Sequence, residues 1–275
     1  MASPPYSVLV NGVSRPVNLG GIARYHNFAG IDSLINPISG KPDIATVLAG
    51  DQNSIRLWQG VYSDAAIPSD GIPGRVELSQ GRTMLAYRAG DFPVAGKCRT
   101  QISSFATPAR KKVFWALDFV LGDSVKGNGW PFFPTGTHPV TVWQLKAPNS
   151  LPSLGISVDT SPQDLDSLSL IFGRRGGSAV NTSRIAQVDG LRRFQPINVV
   201  MEAYLDERDV SARGQGYWRV WVNGNLVVDS YGPTLSAFAT EPHQWFLAIY
   251  LYNDPQPLLE SWVSFWSQAR LLVAN

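Results

Sequence analysis

A chain of 275 residues that is 44% hydrophobic and only 16% charged, with 25 Gly and 20 Pro, has the composition of many short strands joined by tight turns, with helix the minority state. Its formal charge of +2, carried by scattered arginines, argues against a nucleic-acid binder, and the single cysteine, Cys98, excludes both an internal disulfide and a cysteine-based zinc site within one chain. No stretch approaches the roughly 18 apolar residues of a membrane span. Met1 is followed by Ala-Ser-Pro-Pro rather than by a basic segment and an apolar run, so no secretory signal is read and no membrane partner is expected. The expectation is a protein made in a cytoplasm, which reaches the outside on a virus particle or by lysis of the cell.

In chain order, Ser7–Val17 holds two apolar runs around Asn11-Gly12, a dipeptide that accepts positive φ at both turn positions and so predicts a hairpin. Residues 18 to about 70 are rich in Gly, Asn, Ser, Asp and Pro with weak periodicity, which reads as loops and short edge strands. Residues 1–70 therefore form a hairpin and a loop-rich arm suited to docking on a neighbour, and residues 71–275 a separate β-domain. Within the latter, Arg75–Leu78, Thr83–Arg88, Cys98–Ser104, Val113–Leu121, Val140–Lys146 and Leu154–Val158 read as strands bounded by turn residues. Residues 163–172 fit a strand or one short helix. After the Gly-rich loop Gly173–Ser178 come Asn198–Leu205, Tyr217–Val222, Leu226–Ser230, Trp245–Tyr252 and Val263–Val273, with a second hairpin signal at Asn223-Gly224. Many strands with no helices between them cannot build a parallel βαβ sheet, so two stacked antiparallel sheets, a jelly roll, are expected.

Most catalytic signatures are absent: there is no Gly-x-Ser-x-Gly elbow, no phosphate-cradling Gly-x-x-x-x-Gly-Lys-Ser/Thr and no His-Glu-x-x-His. With only His26, His138 and His243 available, each reads as a surface or core histidine, and no metal or cofactor is expected. Asp118, Asp159 and Glu202 lie in strand-like runs, but no spacing singles out a glycosidase pair among them. Trp115, Trp218 and Trp221 sit in strong strands and are expected in the core, whereas Trp58 and Trp130 lie near loops where they would stack on sugar rings. Asn181-Thr-Ser is a formal glycosylation acceptor and reads as a loop.

Three segments stand out together: Leu85–Ile102, in which a strand opens at Arg99; Val142-Trp-Gln-Leu-Lys-Ala-Pro148; and Phe246-Leu-Ala-Ile-Tyr-Leu-Tyr-Asn253. A period of two places Gln144 and Lys146 on one face of their strand, and Tyr250 and Tyr252 on one face of theirs. These segments resemble the working strands of jelly-roll polysaccharide lyases, the group of heparin, glucuronan and alginate lyases. There an Arg-x-Glu-Leu, a Gln-x-His and a Tyr-Phe-Lys-x-Gly-x-Tyr strand line one groove. The resemblance spans roughly residues 75–273 and implies a concanavalin A-like β-jelly-roll sandwich of two antiparallel sheets, with the N-terminal stretch as an extension. It implies β-elimination on a uronate, in which Arg99 and Gln144 would neutralise the carboxylate and Tyr252 would pass a proton to the leaving oxygen. Arg99, Gln144, Tyr250 and Trp130 would contact the sugar chain. The departures are Gln101 for Glu, Lys146 for His, Ala248 for Lys and Tyr250 for Gly. An ordinary Lys is charged at neutral pH and cannot serve as the base in place of a neutral imidazole.

Three functions follow as expectations. The first is a non-catalytic or weakly catalytic surface module of a bacteriophage, in a tail, fibre or capsid decoration. Such a module would bind acidic polysaccharide and would have other virion proteins or further copies of itself as partners. The second is an active polysaccharide lyase with Lys146 and Tyr252 as the proton-transfer pair, and the third is a lectin-like domain with neither role.

Overall fold

The computed structural model describes residues 6–10, 13–17, 22–27, 75–79, 82–87, 97–103, 107, 109–122, 140–147, 150–161, 164–179, 181–252 and 262–274. These form sixteen strands: β1 Tyr6–Val10, β2 Val13–Val17, β3 Ile22–Asn27, β4 Arg75–Ser79, β5 Arg82–Tyr87, β6 Lys97–Ser103, β7 Lys112–Leu121, β8 Val140–Lys146, β9 Leu154–Ser161, β10 Asp164–Arg174, β11 Ser183–Arg192, β12 Ile197–Tyr204, β13 Tyr217–Val222, β14 Asn225–Tyr231, β15 Gln244–Tyr252 and β16 Trp262–Ala274. The only helical element among the described residues is a 3-10 turn at Val210–Ala212.

All strand pairs are antiparallel. One sheet has six strands in the order β11-β10-β9-β8-β15-β6. The other has eight, β14-β13-β12-β7-β16-β5-β4, with β3 also paired to β16. The chain is thus an all-β sandwich of jelly-roll type. Strand β3, from the stretch read as an arm, belongs to the large sheet, while β1 and β2 on either side of Asn11-Gly12 pair, among the described residues, only with each other. The second Asn-Gly turn joins β13 to β14, with Asn223 at φ 47° and Gly224 at φ 81°, the two positive values that such a turn requires.

Alternation along β7 and β13 builds the core. Val113, Trp115, Leu117, Phe119 and Leu121 point inward from β7, and Trp218, Val220 and Val222 from β13. They meet Trp143 and Leu145 of β8, Phe172 of β10 and Trp245 and Leu247 of β15. Trp143 packs edge-on to Trp115 with ring centroids 5.2 Å apart and stacks on Trp218 at 6.3 Å, so indoles from both sheets interlock. The Nε1–H groups of Trp115, Trp143 and Trp218 have no acceptor among the described residues. Each costs about 1–3 kcal/mol, which the roughly 5 kcal/mol from burying about 200 Å² of indole exceeds. Trp221 departs from the expected core position. With Trp218, Val220 and Val222 inward, the period of two turns it to the outer side, where it is half-buried. Trp58 and Trp130 lie outside the described residues.

His243 ties together three segments at the end of the sandwich. Its Nε2 lies 3.0 Å from Ser153 Oγ in the β8–β9 connection and accepts the Ser236 backbone N–H at 3.2 Å, which places the neutral ring's proton on Nδ1. Thr107 N–H donates to the His243 carbonyl at 2.7 Å. Burial holds the imidazole down to about 4, against a weaker opposing pull from Glu207. The unfolded chain therefore takes up a proton that the folded chain refuses, so this contribution to stability is complete above about pH 6.5 and falls away as the pH drops toward 4. Urea unfolding between pH 7 and pH 4 is expected to show that decline, and His243→Gln to flatten it; parallel profiles would rule out His243 as the source.

Candidate functional site

Strands β6, β15 and β8 lie side by side, and with them the three segments singled out above. Directly paired residues occupy the same side of a sheet. Two rows can therefore be followed across all six strands, adjacent on β9 and β10 and separated on β6 and β15 by the Gln101–Ala248 pair. One runs Ser103, Phe246, Gln144, Gly155, Gly173, Arg184; the other runs Arg99, Tyr250, Thr141, Ser157, Ile171, Gln187. On β8, β9 and β10 both lie on the outer side, because Trp143 and Leu145 on β8, Ile156 on β9 and Phe172 on β10 point into the core. A bulge at Val142 lets that residue and Trp143 both face inward, which brings Thr141 to the same side as Gln144.

Gln144 is the chemically conspicuous residue. It is fully buried on this outer side, yet neither Oε1 nor Nε2 has a hydrogen-bond partner among the described residues. A buried unpaired amide costs about 1–3 kcal/mol, and such a group in a folded protein calls for an explanation. Beyond it the row continues through Gly155 and Gly173, which project no side chains, to the exposed Arg184; the Thr182 methyl fills the space over Gly173, 2.8 Å from where a Cβ would stand. Thr141 Oγ1 and Ser157 Oγ, 3.3 Å apart, share a hydrogen bond in the neighbouring row. At the β11 side the Asp189 carboxylate accepts from Ser169 and Gln187, which holds it below the usual carboxylate range.

The ladder brings Arg99 directly opposite Tyr250, with Gln144 on the next strand two rows away along β15, beyond the Gln101–Ala248 pair. It separates two other positions. Lys146 pairs with Gln244, one row beyond Gln144, while Tyr252 pairs with Lys97, one row beyond Tyr250. Gln244 and Tyr252 stand four rows apart on β15, so at about 7 Å per row roughly 27 Å lies between Lys146 and Tyr252, too far for direct proton transfer. Ala248 lies opposite Gln101. Asp118 and Glu202 are on the large sheet and Asp159 on the small one, so Asp159 cannot form a close carboxylate pair with either. His138 lies outside the described residues. Gly155, Gly173 and Thr141 were not singled out in the sequence, although an interior strand glycine is itself a sign of close approach by a ligand or backbone. Asn181-Thr-Ser occupies an exposed connection between β10 and β11.

No protein-family model matches the chain, and no curated protein matches it in sequence. Its fold is shared with solved structures. An alginate lyase superposes with TM-score 0.56 at 8% identity, covering 93% of this chain and 98% of that one. The endo-β-1,4-glucuronan lyase of the fungus Trichoderma reesei does so with 0.53 at 13% identity, over 76% and 89%. A structure described with endo-acting O-glycanases of the human gut microbiota gives 0.51 at 12% identity, over 93% and 100%. At such identities the likeness speaks for architecture. The chain carries the jelly-roll fold seen in polysaccharide lyases.

Proposed function

We propose that this chain binds an acidic polysaccharide along the outer side of the six-stranded sheet. Arg99 and Gln144 receive uronate carboxylates, and Tyr250, with Trp130 from the 123–139 connection, contacts the sugar rings. The observation that carries this reading is the amide of Gln144, buried without a partner among the described residues, two rows along β15 from the Arg99–Tyr250 pair. A carboxylate or hydroxyl reaching it would supply the missing hydrogen bonds, and the guanidinium would supply the charge.

The spacing of Lys146 from Tyr252 supports binding without efficient β-elimination, since the lysine that replaces the family's base stands away from the tyrosine that would protonate the leaving oxygen. A surface module of a bacteriophage particle belongs to the same proposal. It is supported by the altered catalytic positions and by the loop-rich composition of residues 18–70, suited to docking on another virion protein or another copy.

Binding to heparin, alginate and glucuronan measured by calorimetry tests the reading. Arg99→Ala is expected to weaken the tightest of the three by about tenfold, the size of one lost charge-assisted hydrogen bond. No unsaturated product should accumulate between pH 5 and pH 10. Absence of binding to all three polymers, or equal binding by Arg99→Ala, removes the site; accumulation of unsaturated product makes the chain a lyase instead.

A further inference from the structure

The opposite face of the sandwich carries a second ordered surface. On the outer side of the eight-stranded sheet the ladder aligns Lys112, Tyr204, Tyr217 and Tyr231 across β7, β12, β13 and β14, with Glu202, Arg219 and Asp229 in the next row. The three rings are neighbours: Tyr204 and Tyr217 stack with centroids 6.5 Å apart, and Tyr217 and Tyr231 lie 6.2 Å apart. Arg219 sits over both Tyr217 and Tyr231, its Cζ 5.1 and 5.8 Å from their centroids.

The polar groups fix this arrangement. Tyr217 OH donates to Glu202 Oε1 at 2.6 Å, Arg219 donates to Tyr231 OH at 2.6 Å, and Arg219 Nε donates to Asp229 Oδ1 at 3.0 Å. Rings locked in place lose little entropy on binding, which is what a recognition surface requires. Tyr231 remains 61% exposed at the outer end of the row.

The charges select the ligand. Both cations are paired, Lys112 with Glu202 and Arg219 with Asp229, so an anionic polymer finds no unmatched positive charge. These contacts engage one oxygen of each carboxylate, Glu202 Oε1 and Asp229 Oδ1. Aromatic faces beside hydrogen-bond acceptors suit a ligand with apolar C–H faces and many hydroxyl donors, and without charge of its own. We propose that Tyr204, Tyr217 and Tyr231, flanked by Glu202 and Asp229, form a second saccharide-binding surface that takes an uncharged sugar chain.

The test titrates the full chain with neutral hexasaccharides of β1,4-linked glucose, mannose, galactose and xylose and with maltohexaose, followed by NMR shifts and sedimentation. At least one is expected to bind with an affinity unchanged by added salt, to lose about fivefold to tenfold in Tyr231→Ala, and to keep most of its affinity in Tyr231→Phe. Arg99→Ala, which probes the other face, should leave it unaltered. The proposal is overturned if none of the five binds at millimolar concentration, if Tyr231→Ala and Tyr217→Ala both bind as the parent does, or if Tyr231→Ala instead dissolves a dimer that covers this face.

Discussion

Asp206→Ala is expected to cost about 3–5 kcal/mol, the range for breaking a buried, fully hydrogen-bonded ion pair. The carboxylate is buried completely and accepts four hydrogen bonds. Arg208 grips it from Nε and Nη2 at 2.9 Å each, and the backbone N–H groups of Arg208 and Gln215 reach it at 3.0 and 2.9 Å. Its main chain is equally committed: the Asp206 N–H donates to Thr234 Oγ1 at 2.9 Å, and the Asp206 carbonyl accepts from Thr234 and Leu235. Thr234 Oγ1 in turn donates to the Tyr204 carbonyl. Truncation strands the Arg208 and Gln215 donors. Arg208, about a third exposed, can turn to water, so most of the loss comes from the backbone groups that cannot. The grip of Arg208 holds the Asp206 carboxyl well below the usual carboxylate range. Its contribution is therefore whole above about pH 4 and is lost as the pH falls below that, and Asp206→Ala should be less acid-sensitive than the parent. Urea unfolding at pH 7 and pH 3 measures both effects, and a loss under about 1 kcal/mol at pH 7 would show that the four hydrogen bonds are not formed in solution. Because this knot joins the end of β12 to the start of β13, the same variant should also loosen the Tyr204–Tyr217 pair.

Gln144→Leu is expected to move stability and affinity in opposite directions. Leucine keeps similar bulk and removes an amide that finds no hydrogen bond among the described residues, so the folded state should gain about 1–3 kcal/mol. Binding of acidic polysaccharide should fall tenfold or more, because the groups that would meet a carboxylate or hydroxyl are gone. Such opposition is the mark of a site held at a stability cost for function. Chemical denaturation and calorimetry on the same preparation decide between outcomes. A destabilised variant would mean that the amide is satisfied in solution; a stabilised variant with unchanged affinity would place the sugar elsewhere.

What could be read from the residues tracked the strength of local physics. The strands flanking each Asn-Gly pair as expected, β1 with β2 and β13 with β14, and Asn223 and Gly224 show the two positive φ values that few other dipeptides accept. Strands β7 and β13 were legible because alternation and bulky side chains coincide there. The ambiguous run 163–172 is a strand, pinned between β9 and β11 rather than by its own pattern. Strand β11 escaped notice: Ser-Arg-Ile-Ala-Gln-Val-Asp-Gly-Leu-Arg is a largely exposed edge, where little burial writes itself into the sequence. Trp221 was misplaced for a related reason, as a strong strand says little about which of its faces is wet. At the candidate site, the neighbouring positions of Arg99, Gln144 and Tyr250 rest on strand order, which pairs residues far apart in the chain. Period-two reasoning supplied the face but not the offset between strands, and that offset sets Lys146 apart from Tyr252.

Strand β16 lies between β5 and β7 in the middle of the large sheet, although it follows all the other described strands in the chain. Until the ribosome has delivered Trp262–Ala274, both neighbours present open ladders of unpaired amide and carbonyl groups, the kind of edge on which other chains nucleate. Closure must await a contact of very long loop length, which places the chain among slow, aggregation-exposed folders. Deletions that trim β16 should therefore leave insoluble protein rather than a smaller sandwich.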